Sequence, residues 1–201
     1  MNRAAPLDIP RWEWRTFAPS LASLRAFLPG TPEVRCENAH EIRLLCPRSQ
    51  HDVLVRNNVL RLKWRKQVGP EGLELWDSVI HSTFPLGADV VHRLFEAWGI
   101  PVPRLLRPQY SESQFLQEVA PQCPGLCLIH LDICSEAFLI EGAGCHLIEF
   151  TTNQGTFACF GIEHEDPGLA LQVIRQLGLQ SRHNTSYSQG LKAALNISPQ
   201  H

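Results

Sequence analysis

Leu60-Arg-Leu-Lys-Trp-Arg65 alternates apolar and basic residues without a break. An extended strand sends residues i, i+2 and i+4 to one face. Arg61, Lys63 and Arg65 therefore share one surface, and Leu60, Leu62 and Trp64 share the other. Just before this stretch stands Val53-Leu-Val-Arg56, followed by Asn57-Asn58. Consecutive asparagines tolerate the left-handed backbone of a two-residue hairpin turn. Residues 53–56 and 59–66 thus read as one hairpin, with Arg56 and Leu54 alternating in the same sense. Arginine offers a rigid bidentate fork and lysine a compact charge, and both suit phosphate oxygens. The same alternation also fits the solvated face of an exposed hairpin.

Two further stretches alternate in this way, Arg11-Trp-Glu-Trp-Arg15 and Ile162-Glu-His-Glu-Asp166. Glu13 and Arg15 share a face opposite Trp12 and Trp14, which read as the core side. Glu163 and Glu165 share a face, with His164 opposite. Two carboxylates at that spacing can hold a hard cation such as Mg²⁺, with water and substrate oxygens completing the octahedron. Asp166 reads better as a helix cap. Glu41, Glu74 and Glu149 lie on other candidate strands and fit surface positions equally well, since glutamate is seldom buried. His130 and Asp132 alternate in Leu128-Ile-His-Leu-Asp132, but no nucleophile stands beside them. G-x-S-x-G, P-loop and H-E-x-x-H motifs are absent from the sequence, so no residue is assigned a catalytic role.

With 201 residues the chain can bury a core of one generous domain. A net charge of −2 gives no global field toward nucleic acid or membrane, so any polyanion site must be a local basic cluster. RNP-like aromatics and a basic stripe are both missing, which argues against nucleic-acid readout. The seven cysteines are odd in number and contain no C-x-x-C pair, which suits reduced thiols in a cytoplasmic protein. Met1 to Pro10 lacks the apolar run of a signal peptide, and no stretch is apolar enough to span a bilayer.

Residues 1–10 read as a leader, 11–195 as a single domain and 196–201 as a tail. Strands are expected at 12–17, 41–46, 53–56, 59–66, 73–82, 126–134, 137–141, 145–151 and 156–165. Helical spacing appears at 20–28, stopped by Pro29-Gly-Thr-Pro32, and at 89–98, stopped by Gly99 and Pro101. Asp166-Pro167 opens a further helix that Gly178 closes, and a short one is expected at 188–195. Turns are expected at 69–72, 142–144 and 153–155, while the Pro-rich residues 100–125 resist assignment. Strands in hairpins outnumber helices, so the fold class is α+β, mainly antiparallel β. Charged inward faces favour a closed barrel with a polar lumen over an open sheet.

Taken in order, these segments resemble the CYTH superfamily, the triphosphate tunnel metalloenzymes. Arg11-Trp-Glu13-Trp-Arg15 is similar to that family's first-strand E-x-E-x-K, with Arg11 in place of the first Glu. Arg56 and Lys63 resemble its R-x-R strand and the hairpin partner with an inward Lys. Glu163-His-Glu165 before a helix resembles its late E-x-E. Asn184-Thr-Ser-Tyr187 and Lys192 resemble its closing Lys-Ser-Tyr segment, without the Lys. The resemblance implies an eight-stranded tunnel barrel with flanking helices. It implies Mg²⁺ or Mn²⁺ held by Glu13, Glu163 and Glu165, and a small phosphorylated anion held by Arg15, Arg56, Arg61, Lys63 and Arg65. The implied activity is metal-dependent hydrolysis of triphosphate or another phosphoanhydride. Arg11 motivates an alternative, an impaired module that binds a phosphorylated ligand or protein partner without turnover. An unrelated lipocalin-type barrel would instead need an apolar lumen. Substrate identity and oligomeric state are not written in the sequence.

Overall fold

Asn57 and Asn58 adopt φ of 51° and 59°, and around this left-handed turn the hairpin closes as the sequence requires. It joins β3 (Asp52–Arg56) to β4 (Val59–Val68), with Val55 opposite Leu60 and Leu54 opposite Arg61. The computed structural model describes residues 9–28 and 35–197. In them the hairpin is extended on both sides by β1 (Arg11–Ala18), β2 (Arg35–Leu45), β5 (Glu74–Thr83), β8 (Cys127–Ile140), β9 (Ala143–Thr152) and β10 (Gly155–His164). The sheet runs β1-β10-β9-β8-β2-β3-β4-β5 and closes where β5 pairs with β1. Every pairing is antiparallel. A closed antiparallel barrel of eight strands is the architecture that the resemblance implied.

Alternation gives the barrel two buried surfaces. On one outer wall Val53, Val55, Leu60 and Leu62 pack beneath α2 (Ala88–Trp98), which contributes Val91, Leu94, Phe95 and Trp98. Gly99, at φ 67°, ends that helix in the left-handed cap that glycine accepts most easily. On another wall Trp14, Phe160 and Ile162 pack beneath α4 (Pro167–Gln176), which buries Ala170, Val173 and Ile174. Asp166 caps α4 by accepting from the Gly168 N–H at 2.8 Å, with Pro167 at the first helical position.

The third apolar cluster lies inside one end of the barrel. Leu45, Leu131, Ile133, Phe150 and Cys159 meet Tyr187 and Leu191 of α5 (Tyr187–Ala194), so this helix stoppers the lumen. Lys192 ties α5 in place, its Nζ donating to the carbonyls of Cys46 and Ser49 at 2.7 and 2.5 Å.

Three expectations need revision. The strands expected at 126–134 and 137–141 form one strand, β8, because β2 is longer than its apolar part and pairs with it from Arg35 to Leu45. Cys36 to His40 gave no apolar signal, being exposed or half-buried. The turn at 142–144 is the tighter Glu141-Gly142 pair, at φ 49° and 87°, and Ala143 already belongs to β9. The helix at 20–28 shrinks to α1 (Leu21–Arg25). Residues 100–125 add β7 (Gln109–Tyr110), which pairs with β6 (Leu86–Gly87), and α3 (Glu112–Gln114), which continues into a short π turn. The stop at 29–32, most of the leader at 1–10 and most of the tail at 196–201 lie outside the described residues. All seven cysteines are free thiols, and Cys46, Cys123, Cys145 and Cys159 are buried.

Candidate functional site

Because the strands alternate, one residue in two of each faces the interior. Lys63 Nζ donates to Glu13 Oε1 at 2.8 Å. β4 and β1 flank β5 in the closed sheet, so this bond bridges over β5 on the inner face of the barrel. Arg15 is inward as well, its Nη2 3.7 Å from Glu13 Oε2. Arg43 forks between two strands. Its Nη1 donates to both oxygens of Asp52 at 2.7 and 2.8 Å, and its Nη2 donates to Glu41 Oε2 at 2.6 Å. Arg56 adds a bond to the other Glu41 oxygen at 3.3 Å and pairs with Glu37. Arg65 pairs with Glu74, whose second oxygen accepts from Trp76 Nε1 at 3.2 Å. Arg56, Lys63 and Glu163 thus point inward, which excludes the lipocalin-type reading.

Arg61 shares the inward parity of Lys63 and sits opposite Leu54 and His81. Its Nε is a buried donor without a partner among the described residues. Tyr187 Oη is another. This phenol sits at the stoppered end, its ring 4.1 Å from the Arg43 guanidinium and 5.1 Å from that of Arg15. Burial pushes the Tyr187 pKa up, so it is a neutral donor at physiological pH. Burial likewise pushes the Cys159 thiol up despite Arg15, whose Nη1 is 3.8 Å from Sγ.

Burial works against the Lys63 charge, but Glu13 first, then Glu163 and Asp52, raise its pKa above the ordinary lysine value. Burial also opposes the Glu163 carboxylate, yet His146, Lys63 and Arg11 hold it down at about 2. Both groups are therefore charged at neutral pH. Asn184 fixes the segment that leads into α5, its Oδ1 accepting from the Arg15 N–H at 2.7 Å and its Nδ2 donating to the Gly72 carbonyl at 2.8 Å. Glu13, Arg15, Asp52, Lys63, Glu74 and Tyr187 surround a free space of about 10 Å³, the room of one water. Around this space the inward side chains are held in ion pairs with one another.

The structure brings together Glu13, Arg15, Arg56, Lys63, Arg65, Glu41, Glu74 and Glu163. Glu165 is left out. β10 ends at His164, whose Nδ1 accepts from the Asp166 N–H at 2.9 Å, and the chain turns into α4 with Glu165 exposed. Glu149 pairs with Cys134 and Ala158 and belongs to the outer face of the barrel. His130 and Asp132 are exposed on that same face. Sequence reasoning missed Arg43, although Glu41-Ile-Arg43-Leu carries the alternation used elsewhere. Asp52 and His146 carried no comparable signal, and Tyr187 stood in the closing segment of the resemblance without an assigned role.

The expected carboxylates do not fit a cation as they stand. Glu13, Glu41, Asp52, Glu74 and Glu163 each have an arginine or lysine as ion-pair partner. Arg11 occupies the near side of Glu163, where the resemblance gave a metal ligand. Among the described residues, no three His, Cys, Asp or Glu side chains converge to hold a metal ion.

Comparison with known proteins is sparse at the level of sequence. No protein family matches the chain, and no curated protein matches it. Solved structures do. A candidate adenylyl cyclase from Hippeastrum, described as having a dominant triphosphatase activity, is 15% identical, with 92% of this chain and 96% of that one covered and a TM-score of 0.48. A Pyrococcus horikoshii protein is 12% identical, covering 92% and 99%, with a TM-score of 0.47. A candidate adenylate cyclase from Bacillus halodurans is 12% identical, covering 89% and 96%, with a TM-score of 0.44. Among the described residues, no helix is long and apolar enough to cross a membrane.

Proposed function

We propose that this barrel binds a small phosphorylated anion, of triphosphate or other phosphoanhydride type, in its lumen without a resident metal. The observation that carries the reading is that Arg15 and Lys63 line one stoppered space with Tyr187, whose hydroxyl has no partner among the described residues, while Arg43 stacks on the Tyr187 ring. These donors belong to four different elements. Among the described residues their carboxylate acceptors are Glu13, Glu41 and Asp52, which phosphate oxygens can replace. Entry is then an exchange of acceptors, in which the carboxylates swing aside and the arginine forks keep their places. Arg56 and Arg61 line the same wall and extend the cationic surface for the rest of the ligand. Seven unpaired thiols fit a reducing compartment, so we place the protein in the cytoplasm.

A second reading, metal-assisted hydrolysis of that anion, is favoured by one observation. Glu13 and Glu163 are direct cross-strand partners. Two facing carboxylates are the start of a cation site once Lys63 and Arg11 are drawn to an incoming anion.

The deciding experiment is tripolyphosphate binding by calorimetry in EDTA, beside phosphate release with Mg²⁺, Mn²⁺ or EDTA. Binding in EDTA that weakens about tenfold or more in Lys63→Met, without turnover, is the expected result. Absence of binding by the folded protein overturns the proposal. Metal-dependent release lost in Glu163→Ala replaces it with the second reading.

A further inference from the structure

The outer wall formed by β2, β8 and β9 carries a cluster that the lumen does not use. His40 on β2 pairs in register with Asp132 on β8, and Ile42 pairs with His130. His40 and His130 are therefore diagonal neighbours on one face. Their outward direction is opposite to that of Glu41, the lumen residue beside His40.

The geometry is specific. His40 Nδ1 lies 2.9 Å from Asp132 Oδ1, and His40 Nε2 lies 3.3 Å from His130 Nδ1. The carboxylate keeps a proton on His40 Nδ1 and so leaves the Nε2 lone pair facing His130. A separation near 3.3 Å is also the N–N edge of a tetrahedron whose metal–nitrogen bonds are roughly 2.0–2.1 Å long. A carboxylate on the far nitrogen of a ligating imidazole is the usual outer partner that orients the ring and raises its basicity.

From this we propose that His40 and His130 form a two-histidine site for a borderline divalent transition ion, oriented by Asp132 and separate from the lumen. The ion displaces any proton between the two nitrogens and sits to one side of the line that joins them, where both bonds reach roughly 2.0–2.1 Å. Water completes the coordination, consistent with the lack of any three-residue cluster among the described residues. Access is open. The side chain of His40 is 54% exposed, and a groove of about 500 Å³ lined by His40, Asp132, Cys134 and Glu149 runs alongside. Imidazole ligands select Cu²⁺, Ni²⁺ or Zn²⁺ over Mg²⁺, with Cu²⁺ bound most tightly. A bound ion would staple β2 to β8.

The test is Cu²⁺ binding to the full chain, read by electron paramagnetic resonance and by calorimetry with Cu²⁺ and Ni²⁺. One ion per chain with a two-nitrogen signature is expected, lost in His40→Gln and in His130→Gln. Asp132→Asn should weaken affinity by about tenfold to a hundredfold through the lost outer partner. Both histidines are exposed, so these variants keep the fold and leave tripolyphosphate binding unchanged. A one-nitrogen signature, or equal Cu²⁺ affinity in either histidine variant, overturns the proposal.

Discussion

Arg11 Nη1 lies 3.1 Å from Glu163 Oε1, so the barrel carries its own cation on this acid. Lys63 and His146 stand on the same carboxylate's other sides, with His146 Nε2 at 3.7 Å. Glu163 therefore titrates at about 2 in the folded chain, against 4.5 for a free glutamate. Its contribution to stability is complete above pH 4.5 and disappears as pH falls from 4.5 through 2. Glu163→Gln should cost roughly 1–3 kcal/mol at pH 7. The gap to wild type should close on acidification through that window. Urea unfolding at pH 7, 4 and 2.5 measures it, and a gap that stays constant across the three would contradict the ion-pair account.

Gly161 leaves room for Arg15. A Cβ there would stand 2.9 Å from Nη1 and 3.1 Å from Cζ of the guanidinium. The clash is with a buried guanidinium that must loosen its contacts with Glu13 and Tyr187, so Gly161→Ala should cost about 1–2 kcal/mol. Arg15 must leave its position beside Tyr187 and Glu13. Tripolyphosphate affinity should fall about tenfold, and the melting temperature by a few degrees. Unchanged affinity would remove Arg15 from the binding surface.

How much of this was legible depended on whether a short-range pattern set the outcome. The 57–58 turn, the inward faces of Lys63 and Glu13, and the caps at Asp166 and Gly99 all follow from local chemistry that a single chain displays. Glu165 continued the alternation on paper, but Asp166 needed a turn to cap α4, and the strand stopped one residue short. Arg43, between Ile42 and Leu44, was visible by the rule applied to Lys63, between Leu62 and Trp64. Asp52 and His146 were beyond reach, since their roles depend on which strands become neighbours in a closed sheet. The same holds for Arg11. The sequence showed a base where an acid was expected, and only closure of the barrel revealed that it neutralises Glu163.

The stopper depends on one close approach. A Cβ on Gly190 would stand 2.0–2.3 Å from the Phe17 ring. Phe17 has little freedom to yield, being packed edge-on to both Phe150 and Tyr187 with ring centroids 6.0 and 6.1 Å away. Gly190→Ala should cost about 1–3 kcal/mol through displacement of α5. For a chain of this size that is a fall in melting temperature of several degrees. Phe17→Leu in the same chain should recover part of the loss, because it removes the ring atoms that the new methyl meets. A single variant as stable as wild type would show that α5 sits more loosely than its contacts imply.

Arg11→Glu tests whether a cation site is latent in this barrel. The change removes the internal partner of Glu163 and places three carboxylates, at 11, 13 and 163, on two adjacent strands. Without an added ion they repel one another, so the Glu163 pKa should rise from about 2 and the variant should be less stable than wild type at pH 7. Mg²⁺ is the informative probe, because it prefers oxygen ligands and avoids the outer histidines. An ion that binds only the folded state stabilises it in proportion to its occupancy. The melting temperature of Arg11→Glu should therefore climb with millimolar Mg²⁺ and return with EDTA, while wild type, with Arg11 already in place, stays flat. If the variant ignores Mg²⁺ as well, then Glu13 and Glu163 are structural partners of Lys63 and Arg11, and the hydrolytic reading loses the one observation that favours it.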